Sequence, residues 1–204
     1  MLNITVVALL GTSSSGAAPR AQSIVHQMSH TQWPLIIQPA SFAANRVRSI
    51  NLDMLTMLDT CAKHLPCLIV DGDVHFHRNV RAILHNITRR QQYAALHLCP
   101  GCIYNRILVQ KTGNTWANNR PEKRITSPKD STGNVYTSIP FSTCWYGGPV
   151  AVLFQTHQSL QATSRAIKKS MDTAIDIIFP SIPGHVALVK PLCREAEKNT
   201  KDHG

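Results

Sequence analysis

A fold of the α/β class is predicted by three features of the chain. Apolar runs without alternation, such as Ile4-Thr5-Val6-Val7-Ala8-Leu9-Leu10 and Cys67-Leu68-Ile69-Val70, have the pattern of strands covered on both faces of a parallel sheet. Between such runs lie segments whose apolar residues recur at spacings of three and four, the mark of amphipathic helices. With 204 residues, 43% of them hydrophobic and 16% charged, the chain has the size and composition of one globular domain with a sizeable core.

In chain order, residues 4–10 read as the first strand, followed by glycine and serine and then by a helix on which Ala21, Ile24, Val25 and Met28 share one face. Residues 34–37 read as a second strand, 52–64 as an amphipathic helix and 67–71 as a third strand that ends in Asp71. Val80, Ile83, Leu84 and Ile87 mark a further helix, and residues 93–98 a fourth strand. A helix is expected over 100–113, stopped by Gly113, and a long mobile loop over 114–148, rich in Asn, Pro, Ser, Thr and Gly. Residues 150–154 read as the fifth strand, 159–171 as the last core helix, 175–179 as an extra helix or strand and 195–204 as a frayed end. Alternating strands and helices predict a parallel sheet with helices on both faces.

Lys and Arg number 21 against 11 Asp and Glu, a formal charge of +10 that favours anionic partners. The basic groups are spread over Arg78/Arg81/Arg89/Arg90, Arg120/Lys123/Arg124/Lys129 and Lys168/Lys169, with no long basic arm and no basic motif interleaved with aromatics. Nucleic acid is therefore a lesser reading than a nucleotide or a small phosphorylated molecule. No stretch approaches 18 consecutive apolar residues, so no membrane span is expected. The seven-residue apolar run at 4–10 has no Lys or Arg before it, which argues against a secretory leader. Six irregularly spaced cysteines are too few for a disulfide-stapled small domain, and a cytoplasmic protein with mostly reduced thiols is expected.

Candidate chemistry begins at Gly11-Thr12-Ser13-Ser14-Ser15-Gly16-Ala17-Ala18. A G-x-x-x-x-G between a buried strand and a helix is the setting of a phosphate cradle, in which backbone N–H groups and the helix dipole hold the anion. Such a cradle uses a Lys to reach the terminal phosphates and a hydroxyl to bind Mg²⁺, where this chain has Ala17 and Ala18. A Ser/Gly turn without a ligand is the alternative.

The order of features resembles the P-loop kinase superfamily, most closely the chloramphenicol phosphotransferase-like small kinases, a branch that includes relatives of zeta-type toxins. The resemblance spans about residues 1–171 and rests on five segments: Gly11 to Ala18, Pro39-Ala40-Ser41-Phe42, Leu68-Ile69-Val70-Asp71, Leu96-His97-Leu98-Cys99-Pro100 running through Arg106 to Thr112-Gly113-Asn114, and Leu153 to Ser159. It implies a three-layer P-loop NTPase-like fold with a five-stranded parallel sheet, a lid insertion at about 114–148 and a separate C-terminal extension at 172–204. It also implies ATP and Mg²⁺ as cofactors, with residues 11–18 around the nucleotide, Asp71 as catalytic and metal-holding acid, and Arg120 and Arg124 as lid cations that close on phosphate.

The departures fall on the chemistry. Ala17 stands at the clamp, Ala18 at the metal-binding hydroxyl, Ala40 at the base and Gln155 at the acid that follows the last strand. Phosphoryl transfer depends on positioning and charge neutralisation, so these residues imply a catalytically impaired, kinase-like nucleotide or phospholigand binder. The alternatives are an active phosphotransferase with Lys111, Arg120 or Arg124 as displaced cations, and a basic RNA-binding or toxin-related protein. Asp71 and Asp73 could hold Mg²⁺ through water or cap the following helix. Cys99-Pro100-Gly101-Cys102 is read as a structural pair rather than a redox motif or, with His75 and His77, a zinc site, and His97 as a core histidine.

Overall fold

The computed structural model describes residues 3–10, 17–41, 45–72, 74–99, 138–141, 151–188 and 192–195. Nine strands and five helices occupy them in the order β1 (Thr5–Leu10), α1 (Ala17–Ser29), β2 (Leu35–Pro39), α2 (Arg46–Cys61), β3 (Cys67–Asp71), β4 (Val74–Phe76), α3 (Val80–Arg90), β5 (Ala95–His97), β6 (Ser138–Pro140), β7 (Ala151–Phe154), α4 (His157–Lys169) and α5 (Ile175–Ile178). A 3₁₀ turn at Phe179–Ser181, β8 (His185–Leu188) and β9 (Cys193–Glu195) complete the order.

Seven strands form one mixed sheet in the order β2-β1-β3-β7-β5-β8-β6. β1 pairs in parallel with both β2 and β3, and β5 pairs in parallel with β8. β7 runs antiparallel between β3 and β5, and β6 runs antiparallel to β8. Strands at all five expected positions are present, but the expected sheet of five parallel strands is not: residues 151–154 run backwards, and β8 is the fifth strand of the common direction. Burial on both faces makes β7 apolar throughout, and that pattern carries no information on direction.

The sheet is covered on both sides, as expected. One face carries Val6, Ala8, Leu68, Val70, Leu96 and Leu153 against Ile24 and Met28 of α1 and Val80, Leu84 and Ile87 of α3. The opposite face carries Val7, Ile69, Val152, Phe154 and Ala187 against Met54, Met57 and Leu58 of α2, Leu160 and Ile167 of α4, and Ile175 and Ile178 of α5. β8 is an inner strand and α5 closes one face, so the described residues from 175 to 188 belong to the core rather than to a separate extension.

Helix starts follow local chemistry. Asn45 precedes α2 in an extended conformation, and its side chain accepts a hydrogen bond from the Arg48 N–H, so the helix begins six residues earlier than its apolar periodicity suggests. Thr156 does the same for α4, accepting from the Ser159 N–H.

Four cysteines are paired, which corrects the expectation of reduced thiols. Cys61–Cys67 joins the end of α2 to the start of β3, and Cys99–Cys193 joins the residues after β5 to β9. β9 in turn pairs antiparallel with β4 in a two-stranded ribbon beside the main sheet. Cys99 thus bonds across 94 positions to Cys193 rather than to Cys102, which lies outside the described residues.

Candidate functional site

In an open α/β sheet, ligands bind beyond the carboxyl ends of parallel strands where successive crossovers part to opposite faces. Here α1 leads from β1 to β2 on one face and α2 leads from β2 to β3 on the other, so the parting lies between β1 and β3. A cleft of about 360 Å³ opens at that place. Its floor is Leu9 of β1 with Ile69 and Val70 of β3, one wall is Val47, Ile50, Met54 and Met57 of α2, and the other is Ala174 and Ile175. Three charged side chains line it: Asp71 at the end of β3, Arg46 in the first turn of α2, and Asp176 of α5.

Buried polar side chains hold the walls. Asn51 of α2 donates through Nδ2 to the carbonyls of Met171 and Thr173, at 2.8 and 2.9 Å, which fixes the turn leading into Ala174 and Asp176. Asp53 accepts a hydrogen bond from the Ser41 N–H at 2.8 Å, and the Ser49 hydroxyl donates to the Ser41 carbonyl at 2.7 Å. These two contacts pin the exit of β2 to α2, while the Ala40 N–H donates to the Leu10 carbonyl.

Asp71 is followed by a glycine for a steric reason. A Cβ on the buried Gly72 would stand 2.7 Å from Leu10 Cδ2 and 2.8 Å from the Leu9 carbonyl oxygen. The chain leaving β3 therefore passes directly against the end of β1, and only glycine permits that approach. This contact sets the position from which Asp71 borders the cleft.

The expected site residues fare differently. Asp71 borders the cleft, and Ala17 and Ala18 are the first residues of α1. Gly11, Thr12, Ser13, Ser14, Ser15 and Gly16, together with Asp73, Lys111, Arg120, Arg124 and residues 114–137 and 142–148 of the expected lid, lie outside the described residues. Residues 138–141 of that stretch are no mobile loop: β6 pairs with β8 at the edge of the sheet and Phe141 is buried. Gln155 and His97 have structural partners: Gln155 Oε1 accepts from the Tyr93 N–H at 2.7 Å. The expected zinc alternative finds no support, because Cys99 is bonded to Cys193 and the described residues contain no group of three His, Cys, Asp or Glu able to hold a metal ion. Arg46 and Asp176 were not foreseen; Asn45 before Arg46 was the available signal, as a residue type that caps helices.

A second polar constellation lies under α4 and was foreseen only as a core role for His97. His97 and His185 are both buried, with Nε2 of the first 3.1 Å from Nδ1 of the second. His185 Nε2 is 3.0 Å from Thr163 Oγ1, and the Thr163 hydroxyl donates to the Ser159 carbonyl at 2.8 Å. With its one proton so used, Thr163 Oγ1 accepts from His185 Nε2–H, and His185 Nδ1 accepts from His97 Nε2–H. His97 also stacks on Phe141 at 3.7 Å between ring centroids. Burial first, and the neighbouring His185 second, hold His97 well below the usual histidine range, and burial lowers His185 to about 4. Two neutral rings wired to one backbone carbonyl form a structural relay, closed to solvent and apart from the cleft.

No protein-family model matches the chain, and no curated protein matches it. One solved structure is similar, described as the crystal structure of a glycosyltransferase involved in the glycosylation of the major capsid of PBCV-1. The identity is 11%, the TM-score 0.41, and the match covers 91% of this chain and 81% of that one. A likeness at this level assigns neither fold family nor activity. Among the described residues, no helix is long and apolar enough to cross a membrane.

Proposed function

We propose that the chain binds a nucleotide or another phosphorylated ligand at the cleft between the ends of β1 and β3, without efficient phosphoryl transfer. The observation that carries this reading is the position of Asp71, on the last residue of β3 at the parting of the crossovers, beside an apolar cleft with Arg46 on its rim. An apolar slot suits a nucleobase or another flat group, Arg46 suits a phosphate, and the carboxylates of Asp71 and Asp176 call for a cation between them and the anion. The kinase-like resemblance belongs to this reading as a proposal: ATP is one candidate ligand, and Ala17 and Ala18 supply neither the clamp nor the hydroxyl that transfer of a terminal phosphoryl requires.

The described residues fit a divalent cation only if the ligand completes its shell. Asp71 offers one carboxylate, and Mg²⁺ is commonly bound through one or two carboxylates together with phosphate oxygens. When bound, such an ion neutralises charge on a diphosphate. Asp71 would hold it, Arg46 would meet the anion, and the α2 wall would exclude water from the apolar part of the ligand.

A second reading rests on Asp71 at the end of β3, followed by the tight seat of Gly72 against β1. A carboxylate-held cation on a diphosphate stabilises it as a leaving group, which suits transfer of a group carried by a nucleoside diphosphate, such as a sugar. Titration of the protein with nucleoside di- and triphosphates, with and without Mg²⁺ or Mn²⁺, tests the binding claim. Release of nucleoside diphosphate from nucleoside-diphosphate sugars would favour the second reading, and rapid ATP turnover would overturn the first.

A further inference from the structure

We propose that the outer face made by α1 and α3 docks an acidic polysaccharide, a function separate from the cleft. Basic side chains occur on both helical layers, whereas the acidic ones are unevenly spread. Of the described acidic side chains, Asp53, Asp59, Asp172 and Asp176 belong to the α2 and α5 side and Asp71 to the end of the sheet. Residues 17–41 and 74–99, which build α1, β4 and α3 of the opposite layer, contain no Asp or Glu, although β9, paired with β4, brings Glu195 opposite Val74; Arg78, Arg81, Arg89 and Arg90 sit on or immediately before α3.

The arginines are also aligned. On α3, Arg81, His85 and Arg89 follow one another at intervals of four, a single stripe about 12 Å long at 1.5 Å per residue, and Arg78 stands two residues before the helix starts. Helix stability explains part of it, because Arg89 and Arg90 in the last turn complement the dipole. It does not explain Arg78 and Arg81, which put positive charge at the N-terminal end where the dipole disfavours it. The layer is one surface: Arg81 Nη1 donates to Gln32 Oε1 after α1 at 2.9 Å, and Gln27 of α1 bonds both Val74 O and Phe76 N of β4, each at 2.8 Å.

The kind of polyanion follows from what accompanies the charge. Arginine forks match carboxylate, sulfate and phosphate oxygens in pairs. Insertion into a bilayer calls for large apolar side chains beside the basic ones, and among the described residues Val25 is the one exposed on α1 and α3. Single-stranded nucleic acid calls for exposed aromatic platforms, and no described Phe, Tyr or Trp is exposed on this face. The two disulfides suit an oxidising compartment, where an extended acidic glycan is a polyanion within reach.

The test uses the full oxidised chain and three probes at physiological salt: a sulfated polysaccharide of the heparin type, an RNA duplex, and vesicles containing phosphatidylserine. The polysaccharide is expected to bind most tightly and to be released by salt. Joint substitution of Arg78, Arg81, Arg89 and Arg90 by Gln should weaken binding at least tenfold, whereas Lys168→Gln with Lys169→Gln on α4 should change it less than twofold. Circular dichroism monitors folding, and the smaller pair Arg78→Gln with Arg89→Gln, which spares the Arg81–Gln32 bond, should still weaken binding several-fold. Tighter binding to RNA or vesicles, unchanged affinity in the arginine variants, or equal loss in the lysine control would overturn the proposal.

Discussion

His97 Nε2 and His185 Nδ1 meet at 3.1 Å in a layer closed to water, so two histidines are folded into the protein in neutral form. Burial lowers His185 from the ordinary 6.5 to about 4, while the unfolded chain titrates near 6.5. The unfolded state therefore binds more protons between these values. Stability is complete above about pH 6.5 and declines as pH falls toward 4, by up to about 3 kcal/mol for this residue. Denaturant titrations across pH 4 to 7 should show the decline, and His185→Gln should make it shallower, leaving the part due to His97; a wild-type profile flat over that range would contradict the account.

Thr163 closes the relay. Thr163→Val keeps the shape but leaves the His185 Nε2–H without an acceptor in a buried place, and should cost about 1–3 kcal/mol. Thr163→Ser keeps the hydroxyl and should cost less, which thermal unfolding of the pair will show.

The strands with unbroken apolar runs were legible because burial on both faces leaves that signature: β1 and β3 lie where Ile4 to Leu10 and Cys67 to Val70 indicated. Strand direction was not legible at Ala151–Phe154, since direction depends on which end of the sheet the preceding segment reaches. β4 and β8, three and four residues long, are too short to show a period. Of the three charged residues lining the cleft, Asp71 was legible, as an acid ending an apolar strand. Arg46 was hidden by a helix start read too late, and Asp176 by the assignment of residues after 172 to an extension. The partner of Cys99 was hidden because spacing does not determine which cysteines pair.

Gly72 should resist substitution. Gly72→Ala forces a Cβ against the Leu9 carbonyl oxygen and Leu10 Cδ2, and a shift of the Asp71 backbone would relieve the clash. We expect about 1–3 kcal/mol of destabilisation together with weakened ligand binding. Wild-type stability in this variant would mean that the approach of β3 to β1 is not as close as described.

The two disulfides should differ in their effect. Cys99–Cys193 closes a loop of 94 positions and Cys61–Cys67 one of 6, and restraint of the unfolded chain grows with loop length. Cys193→Ser is expected to lower stability by about 2–4 kcal/mol, and Cys67→Ser by less, in denaturant titrations without reductant. Equal titres of free thiol in wild type and Cys193→Ser, corrected for the removed cysteine, would show that the long bond does not form.

The central claim is that Asp71 meets a phosphorylated ligand at the end of β3. Isothermal calorimetry of a nucleoside diphosphate with Mg²⁺, run on the wild-type chain and on Asp71→Asn, tests it most directly. The account predicts Mg²⁺-dependent binding to the wild type and at least tenfold weaker binding to Asp71→Asn, about 1.4 kcal/mol, at unchanged melting temperature. Equal affinity in the two proteins, or binding indifferent to Mg²⁺, would contradict it.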